Sequence, residues 1–187
     1  MPRRQFIIDA SALTPLFILR KGNAGDVKGR AAMGKLIILR NSGKANLLVP
    51  NFCMAECAKA FARELAKKTK DPQDFHDQLQ LHRDLLLETV SRRRKGIIES
   101  IGLKRKHLED IEDVFTAEQK TERRSEGDGL SGLDALIISI GRYHAGVHGH
   151  DKVWIVTADA WLATVSNQSG QPFPRAINVL KQSIPDG

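Results

Sequence analysis

Four acidic residues stand at positions from which they could act together on one substrate. Two of them come just after short apolar runs that are typical of buried strands, and two lie in the first turns of predicted helices. In a parallel α/β sheet, the carboxyl ends of the strands and the amino ends of the helices share one edge, where ligands bind. We therefore expect one crevice to collect all four side chains. These residues are Asp9 and Asp159 at the strand ends, and Glu56 and Asp134 in the helices.

Clustered carboxylates repel one another at neutral pH, and a divalent cation relieves this repulsion. Hard oxygen ligands suit Mg²⁺ or Mn²⁺, which typically keep several water molecules. A bound water can serve as the nucleophile, while the ion stabilises charge on a phosphate group. Asp134 is the most informative of the four, because apolar residues flank it and an unpaired carboxylate there would be costly. The acids therefore predict a site for Mg²⁺ or Mn²⁺.

Each acid also has a purely structural explanation. Asp9 or Ser11 could cap the first helix, and Asp159 could cap the helix that follows it. Residues 131–134 (SGLD) fit a capping box, and Glu56 near a helix amino terminus would interact favourably with the helix dipole. The sequence leaves both explanations open for every one of the four.

Short strands that alternate with helices predict an α/β fold around a central parallel sheet. Asn51 is the predicted cap of the helix that carries Glu56, and Asp71 precedes the next helix. The predicted strands are 6–8, 46–49, 153–156 and about 176–180, and the predicted helices are 11–19, 27–40, 52–68, 73–90, 130–143 and 160–165.

Residues 91–129 form a charged region in which apolar residues are sparse but spaced for helices. We predict one or two amphipathic helices here, as a charged helical insertion within the domain. The region opens with the basic run 92–95 and includes Ile97, Ile98 and Ile101. It could be an RNA-binding arm, an oligomer contact or a solvated helical hairpin.

The chain has 187 residues, of which 41% are hydrophobic and 27% charged, as expected for one folded domain. This composition excludes a disordered chain, a collagen and a disulfide scaffold.

The charge is unevenly distributed. Residues 1–70 carry 14 basic and 4 acidic residues, a net charge of +10, whereas residues 71–187 carry 15 basic and 18 acidic residues, a net charge of −3. A basic half indicates a polyanionic partner, most often nucleic acid. With the four acids, it suggests metal-dependent phosphodiester hydrolysis.

The expected compartment is the cytoplasm. No apolar run reaches the roughly 18–20 residues that a membrane helix needs. Asp9 interrupts the apolar stretch near the amino terminus, so we expect no signal peptide. Cys53 and Cys57 are predicted to be reduced thiols, because no second pair accompanies them.

Four segments resemble, in order, the motifs of PIN-domain proteins. The segment 6–13 (FIIDASAL) is similar to the opening motif, and 50–56 (PNFCMAE) is similar to the second. The segment 133–137 (LDALI) resembles the third, and 156–159 (VTAD) resembles the fourth. The likeness spans nearly the whole chain, so it implies a single PIN-like domain over residues 1–187.

The resemblance implies a three-layer α/β/α sandwich that cleaves single-stranded or structured RNA with Mg²⁺ or Mn²⁺. It also implies relatives among the VapC-like toxins, hence an antitoxin partner and a homodimer. Two alternatives stay open: an RNA-binding or regulatory module without catalysis, and a DNA-directed nuclease. By the resemblance, Asp9, Glu56, Asp134 and Asp159 hold the metal and orient water, and the hydroxyl groups of Ser11 and Thr157 support the site.

Other patterns are weaker. The helix that carries Glu56 also carries Lys59, Arg63 and Lys67, which could guide phosphates to the metal or simply face solvent. The segment 29–36 (GRAAMGKL) resembles a P-loop but lacks the hydroxyl that binds Mg²⁺, and its residues favour a helix. The segment 9–11 resembles a haloacid-dehalogenase motif but lacks its second aspartate. Three histidines could bind Zn²⁺, although we favour a solvated loop for them: His144, His148 and His150.

Overall fold

A computed structural model describes residues 3–20, 22–91, 96–122 and 129–185, and a six-stranded parallel sheet lies at the centre of this part of the chain. The strands are β1 (Arg4–Ile8), β2 (Ala45–Pro50), β3 (Val90–Ser91), β4 (Ile98–Ile101), β5 (Val153–Thr157) and β6 (Arg175–Asn178). Their order across the sheet is β3-β4-β2-β1-β5-β6, with parallel pairing throughout. The predicted α/β class with a parallel sheet is confirmed.

The central strands are apolar because both of their faces are covered. Phe6, Ile7 and Ile8 of β1 are fully buried, as expected for a strand with helices on either side. In the register of the sheet, Ile7 stands between Leu48 of β2 and Ile155 of β5. This arrangement brings the carboxyl ends of β1 and β5 side by side, and both ends carry predicted site residues.

The helices form two groups, which cover the two faces of the sheet. Helices α1 to α4 contact one another; α2 and α3 pack on β2, α4 on β3 and α1 against β5. Helices α5 to α8 also contact one another, and α7 and α8 pack on β1, β5 and β6. Right-handed crossovers place such groups on opposite faces, which produces a three-layer sandwich. The helices are α1 (Ala10–Leu13), α2 (Ala24–Asn41), α3 (Asn51–Leu65), α4 (Pro72–Thr89), α5 (Arg105–Glu109), α6 (Ile111–Lys120), α7 (Gly132–His148) and α8 (Ala160–Gln168).

The charged region 91–129 is not purely helical, so the prediction was wrong over Ile98–Ile101. These residues form β4, because the β-branched Ile98 is fully buried in register with Val90 and β4 also pairs with β2. The remainder includes α5 and α6, which pack against α7. The basic run 92–95 lies outside the described residues.

Two further local predictions were wrong. Asn51 does not cap α3 but is its first residue, because β2 runs through Pro50 directly into the helix and leaves no loop residue between them. His144 and His148 lie within α7 and stack on each other, since the helix continues to Gly149, whose positive φ of 96° ends it.

Other local predictions hold. Asp71 caps α4, because its side chain accepts a hydrogen bond of 3.1 Å from the backbone N–H of Gln73. The segment 29–36 lies inside α2, as its helix-forming residues indicate. Within the described ranges, no helix is both long enough and apolar enough to cross a membrane.

Candidate metal centre

Asp9 lies at the carboxyl end of β1 and is only 5% exposed. The hydroxyl groups of Ser11 and Thr157 both donate hydrogen bonds to the same carboxylate oxygen, Oδ2, the latter at 2.7 Å. The backbone N–H of Asp9 donates to the carbonyl oxygen of Val156 at 2.9 Å, which extends the pairing of β1 with β5. The Asp9 side chain makes no hydrogen bond that caps α1. The capping explanation therefore fails at this residue.

The two hydroxyl groups tie the ends of β1 and β5 together. The oxygen of Ser11 accepts a hydrogen bond of 2.8 Å from the backbone N–H of Ala158. The oxygen of Thr157 accepts one of 2.9 Å from the backbone N–H of Asp159. Because each hydroxyl group accepts from the β5 side and donates to Asp9, the carboxylate is held in one orientation.

Helix α3 presents Glu56 and Cys53 to Asp9. One carboxylate oxygen of Asp9, one of Glu56 and the sulfur of Cys53 lie within 4.8 Å of one another, close enough to hold a metal ion. The sequence analysis missed Cys53 as a member of this group. Its position was readable, since residues three apart on a helix share a face and Cys53 stands three before Glu56.

Burial and mutual repulsion make this site unfavourable for negative charge. Burial is the main cause that raises the pKa of Asp9, and the charge of Asp134 adds to it, against the two hydroxyl donors that lower it. Burial also raises the pKa of Glu56, followed by the charges of Asp9 and Asp134, whereas Lys59 opposes the shift. Three of the four predicted acids therefore lie close enough to influence one another, and a bound cation would relieve their repulsion.

Asp134 and Asp159 also cap helices, so the structural explanation holds for both. Oδ2 of Asp134 accepts a hydrogen bond of 2.9 Å from the backbone N–H of Ser131, which completes a capping box. Oδ1 of Asp159 accepts hydrogen bonds from the backbone N–H groups of Trp161 and Leu162, at 2.7 and 2.8 Å. Each cap uses only one carboxylate oxygen. Asp134 thus acts on the centre through its charge, and Asp159 is linked to Asp9 through Thr157.

Glu118 is a second residue that the sequence analysis missed. It lies in α6, is 5% exposed, and its Oε1 accepts hydrogen bonds from the backbone N–H of Leu130 at 2.7 Å and from the indole Nε1–H of Trp161 at 3.0 Å. These contacts join the charged region to the segments that begin α7 and α8. Its spacing of four residues from the buried Val114 was the available signal.

The basic residues of α3 differ in their surroundings. Lys59 is exposed, and its charge lowers the pKa of Glu56, so it lies near the acidic group. Arg63 is exposed. The ammonium group of Lys67 donates to a carboxylate oxygen of Glu64 at 2.7 Å. Of these three basic residues, which we call the α3 stripe, Lys59 is the one whose charge acts on the candidate metal centre.

Both cysteines are free, as predicted, and both are buried. Burial is the main cause that raises the pKa of each thiol, to about 12 for Cys57 and still further for Cys53. In the absence of a metal, Cys53 is thus a neutral thiol beside two carboxylic groups.

The donor set suits a metal ion, because the oxygen atoms of Asp9 and Glu56 converge where uncompensated negative charge is costly. A scan against models of protein families gives no match to this chain, and a search of curated proteins gives none. Fold and site together define an α/β protein with a buried acidic group, Asp9, Cys53 and Glu56, that could hold a metal ion.

Proposed function

We propose that this protein is a PIN-like, metal-dependent endoribonuclease. The observation that carries the proposal is the position of Asp9, a buried carboxylate braced by two hydroxyl groups at the carboxyl edge of a parallel sheet, beside Glu56. This is the edge at which α/β proteins bind ligands. The order of the four motifs that resemble those of PIN domains supports the same assignment.

The proposed cation is Mg²⁺ or Mn²⁺, held by Asp9 and Glu56. Hard oxygen ligands favour these ions, and the raised pKa of Cys53 favours carboxylate oxygen over thiolate as the donor. When bound, the cation would lower the pKa of a coordinated water molecule and stabilise charge on the phosphate and the leaving oxygen.

The remaining residues would position these groups. Ser11 and Thr157 hold Oδ2 of Asp9 in place. Asp134 adds negative charge that strengthens binding of a cation, since its charge already acts on Asp9 and Glu56. Asp159 caps α8 through Oδ1 alone, and its Oδ2 is the oxygen with which it would orient the attacking water.

The proposed substrate is RNA. The net charge of +10 over residues 1–70 favours a polyanion, and Lys59 lies near the carboxylates, where a phosphate group would approach. The likeness to VapC-like toxins adds a more specific hypothesis, in which an antitoxin protein restrains the enzyme and two copies form a dimer. Size-exclusion chromatography with light scattering would test the dimer directly.

The decisive experiment is cleavage of a mixed single-stranded RNA pool by the purified protein with Mg²⁺, with Mn²⁺ and with EDTA. We expect cleavage that requires a metal and is abolished by Asp9→Asn. The matched control is Asp77→Asn, which makes the same change on the exposed surface of α4. Undiminished cleavage by Asp9→Asn would refute the mechanism.

Failure of the folded parent to cleave RNA would favour one of the two alternatives. RNA binding that survives Asp134→Asn, without cleavage in any metal, would indicate a binding module. Cleavage of DNA in preference to RNA of equal length, compared at one salt concentration, would indicate a DNA-directed nuclease.

A further inference from the structure

A basic groove runs between α2 and the segment that follows β6. It has a volume of about 300 Å³. We name it the lysine groove, because its exposed charged groups are Lys28 and Lys35 on α2 and Lys181 on the opposite wall. Among the described residues that line it, none is acidic. In the part of the chain that the structure describes, three positive charges thus face one space with no carboxylate lining it.

The walls of the lysine groove are held in place by the fold. The backbone N–H of Val179 donates to the carbonyl oxygen of Thr157 at 2.9 Å, so this segment leaves the sheet beside the candidate metal centre. It then passes along α2, where the ammonium group of Lys28 donates to the carbonyl oxygen of Leu180 at 3.2 Å. Further along, a guanidinium nitrogen of Arg4 donates to the carbonyl oxygen of Pro185 at 3.4 Å. One wall therefore starts next to a residue that braces Asp9.

The floor of the lysine groove is apolar. Ala32, Val179 and Ile184 are buried beneath it, and the small side chain of Ala31 leaves the α2 wall open. Lys28 and Lys35 are seven residues apart, so they lie on one helix face with a separation of about 10 Å along the axis. A series of cations along an open channel suits an extended chain with repeated negative charges better than a compact anion.

A second groove contrasts with the lysine groove in charge. That groove, of about 610 Å³, lies beside α6 and carries Lys120 and Arg142 together with Asp113 and Glu122. Arg142 already donates to a carboxylate oxygen of Asp113 at 3.0 Å. The unbalanced charge is thus a property of the lysine groove and not of every groove on this surface.

We propose that the lysine groove binds the sugar–phosphate backbone of single-stranded RNA and leads that strand to the candidate metal centre. The inference rests on the proposed function, which it deepens by giving the substrate a path outside the centre. The lysines contact phosphate groups, which position a strand without reading its sequence. This path differs from the α3 stripe, where Lys67 is already paired with Glu64.

The test measures binding apart from cleavage. All variants carry Asp9→Asn, and fluorescence anisotropy follows a labelled single-stranded RNA in EDTA over a range of salt concentrations. The groove variant is Lys28→Gln/Lys35→Gln/Lys181→Gln. The control, Lys44→Gln/Lys106→Gln/Lys120→Gln, removes the same charge from exposed positions elsewhere. Because Lys28 contacts Leu180, a second groove variant with only Lys35→Gln and Lys181→Gln guards against a loss of folding.

Loss of three phosphate contacts should lower the slope of log affinity against log salt by about 2. The background protein should therefore lose about 20-fold more affinity than the groove variant between about 50 and about 200 mM salt. The control should keep the slope of the background protein. Equal losses in the groove and control variants would overturn the proposal, because binding would then depend on net charge alone.

Two further measurements identify the molecule that the lysine groove binds. A labelled acidic peptide that binds more tightly than RNA, and loses that binding in the groove variant, would overturn the assignment to RNA. A groove variant that binds RNA as the background protein does, while the parent without Asp9→Asn cleaves RNA with Mn²⁺, would overturn the path but leave the proposed function intact. Loss of RNA binding in the groove variant alone would support the path even if the parent cleaves nothing.

Discussion

Replacement of Asp9 by asparagine should stabilise the protein in EDTA at neutral pH. The pKa of Asp9 lies above its ordinary value of 3.8, chiefly because of burial, so the folded chain binds this proton more tightly than the unfolded chain. The stability that Asp9 contributes is therefore fully present below pH 3.8 and is lost as the pH rises through the raised pKa of the folded state. Asparagine keeps the shape and the oxygen acceptor but carries no charge.

A bound cation should offset the loss of stability that ionised Asp9 causes in the parent protein. At a concentration about 100 times its Kd, it stabilises the folded state by about 2.7 kcal/mol. For a chain of this length, 1 kcal/mol corresponds to roughly 2–4 °C in Tm. We therefore expect Mn²⁺ to raise the Tm of the parent by roughly 5–11 °C at neutral pH. Asp9→Asn should lose most of this increase, because one of the two converging carboxylates is gone.

Scanning calorimetry at acidic and neutral pH, in EDTA and in Mn²⁺, measures both effects. Asp77→Asn on the exposed surface of α4 is the control, and it should follow the parent in every condition. The reasoning would be refuted if Asp9→Asn unfolded about 5 °C or more below the parent in EDTA at neutral pH. That result would mean that the ionised carboxylate stabilises the fold through its hydroxyl donors and needs no cation.

Three other substitutions probe the surroundings of the site. Thr157→Val removes one hydrogen-bond donor to Asp9, so RNA cleavage should fall roughly 10–100-fold. Because that donor lowers the pKa of Asp9, the acidic limb of the pH profile of cleavage should move to higher pH. An unchanged profile would argue against this contact. Cys53→Ala should leave the Mn²⁺ requirement of cleavage unchanged, because the neutral thiol is not the donor; a weaker Mn²⁺ titration would contradict this. Glu118→Ala leaves the backbone N–H of Leu130 and the indole N–H of Trp161 without their acceptor. The free energy of unfolding, measured by urea denaturation, should therefore fall by roughly 2–4 kcal/mol. Glu118→Gln keeps an oxygen acceptor and should lose less.

Local pattern was sufficient to predict much of the fold. The runs at 6–8 and 153–156 are too short and too β-branched for helices, and both are strands. Asp71 before Pro72 begins α4 as predicted, because capping depends on residues within one turn. The failure at Ile98–Ile101 has a long-range cause, since these residues become a strand by pairing with β2 and β3.

The candidate site, like the fold, was predicted from the sequence only in part. The sequence placed Asp9, Glu56, Asp134 and Asp159 at the ends of elements, and the structure brings the first three within electrostatic reach of one another. Capping explained Asp134 and Asp159 equally well beforehand, and both do cap helices. The spacing of three residues between Cys53 and Glu56 allowed the two to share a helix face, and the structure shows that the sulfur of Cys53 joins Asp9 and Glu56.

By itself, the sequence determined the α/β class, the four strands β1, β2, β5 and β6, the acids that end the elements and the basic character of residues 1–70. These properties follow from side-chain chemistry and from periodicity over a few residues. The tertiary structure decided that β4 lies in the sheet, that Glu118 is buried against α7 and α8, and that the last segment runs along α2 to form the lysine groove. Which residues are buried, and which partners they contact, depends on contacts between residues far apart in the chain. Such contacts exist only once the sheet and its two layers of helices have assembled.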